Sequence, residues 1–200
     1  MFCLGKSLPA AFVVTALALA GAGSSLAQAP APPGQSEPAP APSAKPGDPF
    51  GEEVTLTPKT IVYLKSSATW DSAFESIQDA FKNVYGFLDR QGIKAAGPAM
   101  TIYTASDDAG FEFQAAVPIP EEPKDPPKGD LAVGKSPEGK ALKFLHRGSY
   151  DSLDQAYDAI THYLDEHKLE ARDLYIEQYD TDLLKTPEDN LVIQVLVPIK

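Results

Sequence analysis

The chain repeats itself, and this limits its fold more than any other feature. Trp70-Asp71-Ser72 and Tyr150-Asp151-Ser152 stand eighty positions apart, and Val117-Pro118-Ile119 and Val197-Pro198-Ile199 keep that offset. Between these anchors the offset drops to seventy-six: "YGFLDRQGI" from Tyr85 matches "HYLDEHKL" from His162, and Thr101-Ile102-Tyr103 matches Glu177-Gln178-Tyr179. Two copies of one supersecondary unit are therefore expected, the first with an extra helical turn and the second with a longer hairpin. Length changes of this kind are tolerated at helix ends and loop tips.

Each copy carries the same order of elements. A β-rich run (Thr60 to Lys65; Ala141 to His146) leads through a turn into an amphipathic helix. Phe74, Ile77, Phe81, Val84, Tyr85 and Leu88 recur at helical spacing in the first copy. Leu153, Ala156, Tyr157, Ile160 and Leu164 do so in the second. Asp71 and Asp151 are natural N-caps or first-turn acids for these helices. Two strands complete each copy, Ala99 to Thr104 with Phe111 to Ile119 and Leu174 to Tyr179 with Asn190 to Ile199. A strand-helix-strand-strand unit leaves a sheet face uncovered, so two must pack together. The expected fold is α+β, two pseudo-twofold-related modules with a ligand cleft between them. Module one spans 57–120, a connecting loop 121–138 and module two 139–200, the whole domain covering 56–200.

What precedes the repeat reads as export machinery. Lys6 supplies a short positive region, and "AAFVVTALALAGA" from Ala10 to Ala22 is too short for a comfortable membrane span. With small residues at Ser25 and Ala27, residues 1–27 are expected to be a signal peptide, which places the domain in the periplasm or outside the cell. Membrane contact is expected only if the signal stays uncleaved. Residues 28–55, rich in Pro and Ala, read as a disordered spacer. Cys3 is the only cysteine, so cleavage would leave a chain without disulfides, a thiol nucleophile or thiolate metal sites.

Charge narrows the partners. The chain carries 17 Lys and Arg against 28 Asp and Glu, a net charge of −11, and no basic stripe suited to a phosphate backbone. Nucleic acid is not an expected partner. His162 and His167 lie five positions apart without a third ligand, so no metal or cofactor is expected.

One strand invites a functional reading. In "DLYIEQYD" alternation puts Tyr175, Glu177 and Tyr179 on one face. A carboxylate between two tyrosines is either a solvated surface group or a pocket residue. In a pocket its desolvation calls for a cation or for hydrogen-bond donors, and flanking rings add cation–π attraction of roughly 0.5–2 kcal/mol each. Trp70 and Tyr150 are module-equivalent aromatics that either line the cleft or staple the helix start. Tyr63 and Tyr103 stand on strands of the first copy and are candidates for the opposite wall, and His146 is a further candidate at the turn.

The second copy, "LKFLHRGSYDSLDQAYDAITHYLDEHKL…YIEQYDTDLLKTPEDNLVIQVLVPI", resembles the GyrI-like small-molecule-binding domain, the effector-binding module also found behind AraC-type regulators. The resemblance rests on His146, Gly148 and Tyr150 in an H-x-G-x-Y turn, on Glu177 and Tyr179, and on Thr186-Pro187-Glu188 with the closing Val197-Pro198-Ile199. It implies two modules with a ligand in the cleft between them and a central acidic residue at Glu177. The expected function is an exported binder of a small amphiphilic or cationic molecule. Two other classes remain open: a hydrolase of a strained or reactive molecule using Glu177 with Tyr179, and a module that captures an envelope protein.

Overall fold

The computed structural model describes residues 47–200, so the signal peptide and most of the spacer lie outside the described residues. Eight strands form one antiparallel sheet: β1 (Phe50–Leu56), β2 (Thr60–Thr69), β3 (Met100–Ser106), β4 (Gly110–Pro118), β5 (Leu131–Lys135), β6 (Gly139–Arg147), β7 (Tyr175–Tyr179) and β8 (Val192–Pro198). Helix α1 (Ala73–Gln91) follows β2, and helix α2 (Leu153–His167) follows β6. The fold is α+β, two β-α-β-β units in one sheet.

The duplication survives at the level of register. Ile61 pairs with Pro118 across β2 and β4, and their counterparts Ala141 and Pro198 pair across β6 and β8. Met100 faces Ala116 as Ile176 faces Leu196. The two modules join through β3 and β7, where Thr101 lies directly opposite its own counterpart, Glu177. A pseudo-twofold axis therefore passes between these two residues. The helices agree: α1 has 19 residues and α2 has 15, and both end on a left-handed residue, Gly92 and Lys168. The extra turn and the longer β7–β8 hairpin fall where the changing offset puts them.

Two expectations about the connections need correction. Residues 50–55 are not spacer but strand β1, and residues 131–135 of the connecting loop are strand β5. Each strand leads one module in sequence yet pairs into the other, β1 onto β6 and β5 onto β2. The sheet order is β1-β6-β8-β7-β3-β4-β2-β5. In a flat sheet β1 and β2 would stand six inter-strand spacings apart, about 29 Å, whereas the steps from Leu56 to Thr60 span at most about 15 Å. The sheet must curl. The two crossings then run side by side, with Ser136 N–H donating to Lys59 O and Lys59 N–H to Ser136 Oγ, both at 2.9 Å. Ile61, Met100, Ile102, Ala116, Ile176 and Leu196 fill the reverse face of the curl.

Both helices pack on the other face. Ile77, Phe81, Val84 and Leu88 of α1 and Leu153, Ala156, Ile160 and Leu164 of α2 join one core with Phe113, Val117, Phe144 and Val195. Fully burying side chains of this size contributes about 1.5–3 kcal/mol each. Neither Asp71 nor Asp151 caps its helix through its side chain. Ser72 and Ser152 occupy the N-cap positions and donate instead to the carbonyls of Thr69 and Ser149.

Candidate functional site

A cavity of about 700 Å³ opens between the N-terminal ends of the two helices, above the β3–β7 junction. Its position follows from the pseudo-symmetry. Each strand-to-helix turn ends in a 3₁₀ turn, Trp70–Ser72 or Tyr150–Ser152, that brings an aromatic residue to the cavity. In module two the strand stops at Arg147, because Gly148 adopts φ 125° and donates its N–H to Leu191 O at 3.0 Å. That conformation is strained for any residue with a Cβ.

Glu177 lies at the floor of this cavity and is 1% exposed. Three phenols hold it. Tyr157 Oη donates to Oε1 at 2.9 Å, while Tyr179 Oη at 2.9 Å and Tyr150 Oη at 3.2 Å donate to Oε2. Behind them stand Thr101 Oγ1, 2.8 Å from the Tyr179 hydroxyl, and Tyr103 Oη, 2.7 Å from that of Tyr150. An ionised carboxylate only accepts, so its presence orients both chains: Thr101 donates to Tyr179 and Tyr103 to Tyr150. Burial raises the Glu177 pKa, and the phenol donors oppose that rise. The hydroxyls of Tyr103, Tyr150, Tyr157 and Tyr179 are pushed well above their ordinary value, first by burial and then by the Glu177 charge, so they stay protonated donors. Three of the roughly four lone-pair sites on the carboxylate are thereby occupied. Such an arrangement suits the holding of charge better than the removal of a proton.

The candidates sort into three groups. Glu177, Tyr150, Tyr103, Tyr175 and Trp70 line the cavity together. Trp70 is 49% exposed, rests on Phe111 with ring centroids 4.8 Å apart, and is pinned by an Nε1–H bond of 2.8 Å to Asp107 O. Tyr179 contacts Glu177 but is itself buried, its ring set edge-on to Phe81, so it supports the carboxylate from behind rather than forming open wall. Tyr63 and His146 are not brought to the cleft. Residues directly opposite in a ladder share a face, and Tyr63 pairs with Ala116, which faces Met100 on the reverse side. His146 is 3% exposed and binds Ser149 O through Nε2 at 3.0 Å; burial lowers its pKa, which makes it a neutral brace of the turn.

Tyr157 enters the sequence reading only as a helix-face residue and not as a site candidate, yet it makes one of the two shortest bonds to Glu177. The sequence does hold a signal for it. At the offset of seventy-six that matches the helix bodies and ends, position 157 is the counterpart of Phe81, so a phenol replaces a phenyl ring at one matching position of the two helices. The rim is a second feature that strand and helix periodicity do not reveal. Asp71, Glu75, Asp151, Asp154, Asp158 and Glu188 border the opening, and no Lys, Arg or His does.

Fold and site together define a duplicated α+β domain with a ligand cavity on its internal dyad. The chain belongs to the GyrI-like small-molecule-binding domain family, whose model matches residues 52–200. Among solved structures it is similar to the EcmrR C-terminal domain (TM-score 0.63, 14% identity, 76% of this chain and 98% of that one). It is also similar to EcmrR in its DNA complex (TM-score 0.65, 13% identity, 76% of this chain), of which it spans only 57%. A third match is SAV2435 bound to tetraphenylphosphonium (TM-score 0.52, 16% identity, 76% of this chain and 94% of that one). At these identities the likeness establishes the fold. Comparison with curated protein sequences returns no match.

Proposed function

We propose that the protein is an exported binder of amphiphilic organic cations, held in the inter-module cavity against Glu177. One observation carries this reading: a buried carboxylate, caged only by neutral donors, faces a cavity walled by aromatic rings and lined by no basic side chain. A cation with an apolar body supplies the missing charge while its surface packs on Trp70, Phe74 and Tyr175. The tetraphenylphosphonium bound by SAV2435, which shares the fold, is a ligand of this chemical kind.

Tetraphenylphosphonium and tetraphenylborate share a shape and differ in charge sign, and Trp70, the only tryptophan, offers a fluorescence signal inside the cavity. The cation is expected to bind and the anion not to. Glu177→Gln is expected to weaken cation binding by about 1–3 kcal/mol, the scale of a lost charge-assisted contact. Equal affinity for the two ions, or an unchanged affinity in the variant, would remove Glu177 from this role. Export rests on the expected signal peptide. The protein recovered from the producing cell should begin near Gln28, and an intact Lys6 region on a membrane-bound product would contradict it.

A further inference from the structure

The rim carries more negative charge than one bound cation accounts for. Asp71 and Asp151, related by the pseudo-twofold, flank the opening, with Glu75 beyond the first and Asp154 and Asp158 beyond the second. Elsewhere on the domain several acids are matched: Asp48 with Arg147, Glu52 with Lys143, Asp79 with Lys82, Glu170 with Lys200 and Asp182 with Lys185. Among the described residues, none of the six rim carboxylates has an ion pair. Asp154 and Asp158 sit one turn before and one residue after Tyr157 on α2, and the hydroxyl of Tyr157 reaches Glu177. Asp154 and Asp158 are exposed while Glu177 is buried, so the cavity runs from a buried carboxylate to exposed ones, with Trp70, Phe74, Tyr150 and Tyr175 among its lining.

We propose that the preferred ligands are elongated dications, with one cationic head on Glu177, an apolar middle along the rings, and the second head among the rim carboxylates. This proposal rests on the reading of the cavity as a cation site. It differs from that reading in what it says about the far end of the ligand. A hydrophobic groove with one counter-ion rewards an apolar tail; a floor and rim both negative reward a second charge there. A simple polyamine satisfies the charges but leaves the aromatic wall uncovered.

Titration of the protein with decamethonium and with decyltrimethylammonium, which has the same chain and one charge fewer, separates these cases. Decamethonium is expected to bind about tenfold more tightly at low salt, equivalent to about 1.4 kcal/mol. Added salt is expected to erode that advantage, since the rim is solvent-exposed. Asp154→Asn combined with Asp158→Asn should lower decamethonium affinity several-fold more than that of the single cation, whereas Glu177→Gln should weaken both. Equal or tighter binding of decyltrimethylammonium overturns the dication proposal and leaves the cation site standing. Failure of both cations to bind removes both readings. Putrescine, a diamine of the same charge with only a short carbon chain, binding as tightly as decamethonium overturns the proposal too, because the apolar middle is then not read. The salt series on the unaltered protein decides the matter even if the doubly substituted protein does not fold.

Discussion

The two modules share a register and differ in what they bring to the axis. Module one contributes Thr101 at the dyad, where module two contributes Glu177, and Phe81 on its helix, where module two contributes Tyr157. Neither replacement disturbs a strand pairing. Duplication of a strand-helix-strand-strand unit yields a symmetric cavity at no architectural cost, and asymmetric substitution at a few axis positions then turns it into a site with one charged floor. Thr101 keeps a supporting part in that design, since its hydroxyl bonds Tyr179, which in turn holds Glu177. The module that lost, or never had, the charge still helps to position it.

This division of labour predicts opposite stability behaviour at the two equivalent positions. Burial raises the Glu177 pKa above its unfolded value, so the folded state holds its proton more tightly than the unfolded chain does. Stability from this group is then complete below the unfolded carboxylate range and is lost as pH rises through the folded pKa, by about 1.4 kcal/mol for each unit of separation. Glu177→Gln should abolish that slope. Denaturant unfolding of the two proteins across pH should give a difference that grows in favour of the variant with rising pH and then levels off. Thr101→Val should instead cost about 1 kcal/mol at every pH, through loss of the bond to Tyr179. A pH-independent difference for Glu177→Gln would mean that the phenol cage offsets burial completely. The four phenols around Glu177 stay protonated throughout.

Much of this architecture is legible in the sequence because repetition gives each segment an internal reference. The changing offset between copies locates the extra turn of α1 and the longer β7–β8 hairpin, and strand alternation puts Tyr175, Glu177 and Tyr179 on one face. The exchange of β1 and β5 is not legible. Both are edge strands beside Pro-rich sequence, and no local pattern tells an edge strand which module it will join. Tyr63 is misplaced for a related reason: alternation assigns faces within a strand, but only pairing relates the faces of different strands. Tyr157 is hidden by its own periodicity, since a tyrosine at helical spacing reads as core until its hydroxyl is given a partner.

The smallest expected effect tests the comparison where the copies differ by a single residue at a matched backbone position. Gly92 and Lys168 close α1 and α2 in the same left-handed conformation, with φ of 66° and 54°. Each donates its N–H to the carbonyls three and four residues back, Asp89 and Leu88 in one case and Asp165 and Leu164 in the other. Module one uses the residue that adopts this conformation freely, while in module two the Lys168 Cβ is crowded against the backbone. A Cβ at position 92 would meet nothing nearby, so Gly92→Ala isolates the backbone penalty and should cost about 1 kcal/mol. Lys168→Gly should recover less, about 0.5 kcal/mol, because glycine also loosens the unfolded chain. Thermal unfolding of the two single variants should therefore move in opposite directions, with the larger shift at Gly92. Shifts in the same direction would show that the two helix ends, though alike in geometry, are held by different interactions.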